Sequence, residues 1–318
     1  MIYDELYDEW RNQPYMDSCT EKFEIRDGIA IIPEGTTKIG NYAFDDCTSL
    51  ESVTIPESVT EIGNCAFIRC TSLKNVAIPK SVTEIGDSAF SGCTSLESIT
   101  LPDSVTIIDW LAFDDCTSLK NITLPDSVTF LGEKAFSDCT SLESITISKS
   151  VTLIQHYTFN YCSSLKSITI PDSVKEIGVG AFRWCTALES ISLPESVTRI
   201  GSYAFMGCTS LMDITIPESV TKIGQHVFAG CSSLESVTIP ESVREIEEYA
   251  FEGCTSLTTV TLPAGVKKIE NDVFYECSAL STIYVPAKKA DYYKKRLPKH
   301  LHDKIVELAP EKRTKVRK

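Results

Sequence analysis

The chain has 318 residues, of which 42% are hydrophobic and 23% charged, and a formal net charge of −14. No apolar run is long enough to cross a bilayer, so membrane insertion is not expected. The charge is uneven: from Ala287 to Lys318 there are 12 Lys/Arg against 4 Asp/Glu, whereas the preceding 286 residues carry 18 against 40. A body this acidic repels nucleic-acid backbones, whose binding rests on phosphate neutralisation, which excludes nucleic acid as a partner. The basic end reads as a solvated terminus.

Residues 1–26 hold aromatic and acidic side chains that suit an N-terminal cap, a helix over the first repeat. Their start, Met1-Ile2-Tyr3-Asp4-Glu5-Leu6, has neither a basic segment nor an apolar core of the kind a signal peptide needs. The chain as given therefore reads as cytoplasmic, with a secreted or cell-surface location the alternative if a leader was removed.

Residues 27–286 are a repeat array. An apolar residue followed by proline recurs at Ile32-Pro33, Ile55-Pro56, Ile78-Pro79 and Leu101-Pro102, and onward to Val285-Pro286, in steps of 23 residues or a multiple of 23. The one gap in the series is filled by Ile147-Ser148. Leu recurs from Leu50 to Leu280, Phe from Phe44 to Phe274 and Cys from Cys47 to Cys277, eleven times each. In Ile99-Thr100-Leu101 apolar and polar residues alternate as in a strand, and Pro102 ends it for want of an amide donor. Ala66, Phe67, Cys70 and Leu73 fall at steps of one, three and three, which predicts one or two helical turns. The glycines that follow the repeat, such as Gly63, Gly86, Gly132 and Gly178, are read as serving tight turns. One unit cannot bury its own apolar face, but stacked units form continuous ladders. Neighbouring strands are then expected about 4.8 Å apart in one parallel sheet.

The unit Ile-Pro-x-Ser-Val-Thr-x-Ile-Gly-x-x-Ala-Phe-x-x-Cys-x-Ser-Leu resembles the BspA-like leucine-rich-repeat family over residues 27–286. The resemblance implies an α/β repeat: a right-handed, curved solenoid with a parallel concave sheet and short helical or irregular segments on its convex side. It also implies binding or adhesion, often at bacterial cell surfaces, and no catalytic residue.

Residues 287–309 read as a basic, amphipathic C-terminal cap helix carrying Tyr292, Tyr293, Leu297, Leu301, Ile305 and Leu308. Residues 310–318 read as a disordered tail.

Little in the chain suggests chemistry. Eleven of the thirteen cysteines occupy one column beside Phe and Leu, where a small hydrophobe packs well. Zinc sites need close pairs such as Cys-x-x-Cys, and there is none. The ladder therefore reads as free, buried thiols, with Cys19 and Cys65 outside it and Cys65 a candidate exposed thiol. His156, His226, His300 and His302 lack matching nucleophiles or carboxylates in their own repeats. The pairs Asp45-Asp46 and Asp114-Asp115 read as solvated loops. No catalytic residue, metal or cofactor is expected.

Two surfaces stand out. The outward strand columns, Ser98 and Thr100 with their equivalents, form a carpet of small hydroxyls. Beside it Glu51, Lys74, Glu97, Lys120, Glu143, Lys166 and Glu189 alternate in sign, which predicts pairing between stacked neighbours and ends at Met212. The second surface departs from the repeat. Ile107, Phe130 and Leu153 replace the charged residue found at Glu61, Glu84, Glu176, Arg199 and Lys222. Trp110, Leu111, Tyr157, Tyr161 and Trp184 enter normally polar columns in the same stretch, where Asp109 and Gln155 replace Gly and Ser148 replaces Pro. Exposed apolar patches with aromatics mark interfaces, so these eight residues are the candidate partner-binding set. The expectation is a monomeric, non-enzymatic scaffold for a protein partner. The alternative is a bacterial surface adhesin for host matrix protein or glycan.

Overall fold

The computed structural model describes residues 23–309. Within them the chain winds into a parallel-sheet solenoid with one 23-residue unit per coil. A three-residue strand opens at Ile29–Ile31 and recurs at Ser52–Thr54, Asn75–Ala77 and onward to the longer Thr282–Val285. A two-residue strand follows it in each coil, from Lys38–Ile39 to Lys268–Ile269. Pairing is parallel and in register by one unit, as in Ser167 with Ser190, Ile168 with Ile191 and Thr169 with Ser192. The middle residue of a three-residue strand points inward and its neighbours outward, so Ile99 is buried between exposed Ser98 and Thr100.

The segment after the second strand is not helical, contrary to the spacing of Ala66, Phe67, Cys70 and Leu73. Cys65 and Arg69 adopt left-handed backbone angles, φ 55° and 58°, as do their equivalents in the other coils. Two such residues four apart break an α-helix. Amide groups instead alternate in direction. Cys65, Phe67 and Arg69 donate to Asp87, Ala89 and Ser91 of the next coil at 2.8, 2.8 and 2.7 Å. Ala66, Ile68 and Cys70 donate within their own coil to Gly63, Cys65 and Phe67. The turn segment is thus a third inter-coil ladder.

Phenylalanine fills the interior. Phe44 to Phe274 stack ring on ring with centroids 4.9–5.9 Å apart, and Phe23 covers the first ring at 5.2 Å. Each buried Phe contributes about 1.5–3 kcal/mol by burial, and ring pairing adds to this. The cysteines do more than fill space: each ladder thiol from Cys70 to Cys277 donates to the Phe carbonyl of the preceding coil, Cys93 to Phe67 at 3.1 Å for example. Serines bridge coils similarly, Ser104 Oγ donating to the Val82 carbonyl at 2.6 Å. Ser148 belongs to this system. It is fully buried and donates to the Val128 carbonyl at 2.6 Å, so its replacement of proline is a packing feature.

At Gly63, Gly86, Gly132, Gly178 and Gly201 it is close approach to the preceding coil, rather than a turn, that leaves no room for a Cβ. A Cβ on Gly132 would lie 2.5 Å from the Asp109 carbonyl carbon and 2.6 Å from the Trp110 nitrogen.

Both described ends depart from the coil. Ile25–Arg26 pairs antiparallel with Ile29–Ile31 across a tight Asp27-Gly28 turn, both residues having positive φ. Of the expected N-terminal cap helix over residues 1–26, residues 1–22 lie outside the described residues, as does the tail at residues 310–318, and Ile25–Arg26 is a strand rather than helix. The C-terminal cap is shorter in helix than its sequence pattern predicts. Helix α1 spans Ala290–Lys294, a 3-10 helix spans Lys299–Lys304, and Ile305–Glu307 joins the sheet parallel to Thr282–Val285. Tyr293, Leu297 and Leu301 are buried against the last coil, whereas Leu308 is exposed.

Candidate functional site

The two-residue strands form one row along the solenoid. Its outward residues are Lys38, Glu61 and Glu84, then Ile107, Phe130 and Leu153, then Glu176, Arg199, Lys222, Glu245 and Lys268. The charged parts pair between coils: Lys38 with Glu61, Arg199 with Glu176 at 3.1 Å, and Lys268 with Glu245 at 3.2 Å. Three apolar side chains interrupt this row. Ile107 stands in register with Phe130, and Leu153 with Glu176. All three are half-buried, and Trp110, in the same coil as Ile107, is 55% exposed.

Leu111, Tyr157, Tyr161 and Trp184 lie in the adjoining turn segment at its left-handed positions. Leu111, Tyr157 and Trp184 are half-buried, and Tyr161 is exposed. The rings lie along the coils. A Cβ on Gly180 or Gly207 would fall 2.4 Å from the ring of Tyr157 or Trp184. Trp184 is parallel to Tyr161 at 6.3 Å, and Arg183 approaches the Tyr161 ring at 5.9 Å.

A second aromatic row escaped the sequence reading. Tyr203, His226 and Tyr249 occupy one left-handed column and stack at 5.0 Å. The signal was present, since three ring residues stand 23 apart. On the face of the three-residue strands, Ile29, Ile31 and Met212 are exposed. Of the alternating charges there, only Glu51 and Lys74 close to an ion pair among the described residues, at 3.0 Å.

Several of the polar residues have structural partners. His156 Nδ1 accepts the Val179 amide at 2.9 Å, and Arg69 pairs with buried Asp45 at 2.7 Å. Asp45 and Asp114 are buried rather than solvated. No group of three or more His, Cys, Asp or Glu among the described residues is arranged to hold a metal ion. None of the helices among them is long and apolar enough to cross a membrane.

Eleven cysteines from Cys65 to Cys277 are free. Cys47 is disulfide-bonded, which corrects the expectation of a wholly free ladder. Cys65 is buried, not exposed, and burial pushes its thiol up to about 11 and that of Cys70 to about 12. Cys277 goes the other way, lowered by its hydrogen bond with Cys254.

The comparisons with known proteins agree with this geometry. A model of the BspA type leucine rich repeat region matches in six copies, across residues 28–139, 89–211 and 175–296. A leucine-rich repeat protein from Bacteroides ovatus is 27% identical, with 88% of this chain and 92% of that one covered and a TM-score of 0.52. A leucine rich cell surface protein from Faecalibacterium prausnitzii is 31% identical, with 89% and 98% covered and a TM-score of 0.51. The pneumococcal vaccine antigen PcpA shares the fold at 22% identity, with 86% and 71% covered and a TM-score of 0.60. No curated protein matches. With most of its described coils matched by the repeat model, the chain belongs to the BspA type leucine-rich-repeat family.

Proposed function

We propose that the chain is a non-enzymatic scaffold that binds a protein partner through the apolar interruption of its charged row. The observation that carries this reading is the run Ile107, Phe130 and Leu153, half-buried in a row that is otherwise charged and largely paired between coils. Replacing paired charges by apolar groups leaves surface that gains from being covered. Trp110 supplies an exposed aromatic in the same coil, the residue type that most often anchors interfaces. Leu111, Tyr157, Tyr161 and Trp184 extend this surface over the adjoining turn segment. The test is capture of partners by the immobilised chain, compared with a variant carrying Phe130→Lys and Leu153→Lys. Specific capture that the variant loses supports the reading; equal capture by both contradicts it.

A second reading is an adhesin for host matrix protein or glycan. Its support is the 31% identity to a protein described as a cell surface protein. Binding to a glycan array or to immobilised matrix proteins, undiminished by the Phe130 and Leu153 replacements, would favour it over the first.

A further inference from the structure

A cavity of about 260 Å³ opens between the turn segment of the last coil and the C-terminal cap. Its floor is apolar: Val273 and Phe274 from the coil, Leu297 and Leu301 from the cap. Its lining also includes three carboxylates, Glu270, Asp272 and Glu276.

Those carboxylates are departures from the repeat. Glu270 stands where most coils have glycine, and Asp272 and Glu276 occupy the two left-handed positions. In the coil before, these positions hold Tyr249 and Gly253; in no other described coil are both acidic. Asp272 and Glu276 are exposed. Lys268 already pairs with Glu270; no cation is within ion-pair distance of Asp272 or Glu276 among the described residues. Two exposed anions of one sign beside an apolar floor leave a site that is complementary in both respects to a cation carried next to an aliphatic group. The volume is just under the range of about 300–1,000 Å³ usual for small-molecule pockets, which suits a side chain or two rather than a large ligand.

We propose that this cavity binds a basic peptide segment, seating an aliphatic side chain against Phe274 and Leu301 with flanking Lys or Arg at Asp272 and Glu276. The site lies at the end of the solenoid and does not depend on the Ile107–Phe130–Leu153 row.

The test uses the full chain and a fluorescein-labelled peptide of sequence RKLRK, followed by fluorescence anisotropy. Because the whole body is acidic, general attraction must be separated from the site. One double variant reverses Asp272→Lys and Glu276→Lys; a control with the same change in net charge reverses Glu97→Lys and Glu143→Lys on the face of the three-residue strands. The expected result is saturable binding that the first pair weakens by roughly tenfold, the scale of two partly exposed charge contacts, and the control pair much less. The peptide RKSRK should also bind more weakly than RKLRK. Equal weakening by the two variants, equal binding of the two peptides, or no saturable binding would each overturn the proposal. Unchanged thermal melting of both variants excludes misfolding as the cause.

Discussion

The Cys139 thiol donates to the carbonyl of Phe113, one coil earlier, at 3.1 Å. That carbonyl also receives the Cys116 amide from its own coil at 3.3 Å. The thiol therefore ties two coils together at a fully buried position where only a small side chain fits.

Replacing Cys139 by Ala should remove that link and leave a small cavity. The expected loss is about 1–2 kcal/mol, from the missing hydrogen bond and the lost packing. Chemical denaturation of the variant and the parent chain checks it.

Native thiol reactivity should be low. In the folded chain a bulky reagent should find Cys277 first, its thiol lowered by Cys254. Cys65 and the remaining free ladder cysteines should stay silent because burial raises them. Denaturation should expose the eleven free cysteines among the described residues, with Cys47 reacting only after reduction. Rapid labelling of Cys65 in the native state would contradict this.

The same burial makes stability depend on alkaline pH. Folded Cys65 and Cys70 hold their protons to about 11 and about 12, against an ordinary value of 9.0. Below the ordinary value both states are protonated and stability is flat. Above it the unfolded chain releases protons first, so stability falls as pH rises toward the folded values. Each such thiol contributes a slope of up to about 1.4 kcal/mol per pH unit. Denaturant melts between pH 7 and pH 11 should show a plateau followed by a steep decline, shallower in Cys-to-Ala variants.

Gly132→Ala and Gly224→Ala test the close approach of coils. The added methyl at position 132 meets the Asp109 backbone at 2.5 Å, which cannot move aside, and should cost on the order of 1–3 kcal/mol. At position 224 the nearest atom is a Val227 methyl at 3.3 Å, so the cost should be much smaller. Thermal melting of the two variants compares them directly.

The ladders of Leu50, Phe44, Cys47 and their equivalents were legible because one residue type holds each column. The two left-handed positions were not. Their occupants range from Tyr42, Cys65 and Ser88 to Lys134 and His226, so no composition signals them. Without that knowledge Ala66, Phe67, Cys70 and Leu73 fit a helix as well as a turn. The thiol-to-carbonyl bonds were hidden for another reason: spacing places a cysteine in a column but does not show which carbonyl lies one coil away. Of the candidate site, the apolar run was readable as a break in a charged column. The packing of Tyr157 and Trp184 onto Gly180 and Gly207 depends on which coil each ring leans toward, and that is a property of the backbone.

The proposed binding surface is the break in the charged row, not the repeat itself. The most direct measurement is the affinity of the captured partner for three proteins: the parent chain, the Phe130→Lys/Leu153→Lys variant, and a Thr123→Lys/Thr146→Lys variant that adds the same number of lysines to the exposed face of the three-residue strands. Binding should be lost in the first variant and stay near the parent affinity in the second. Loss confined to the second variant would contradict this and move the site to the strand face.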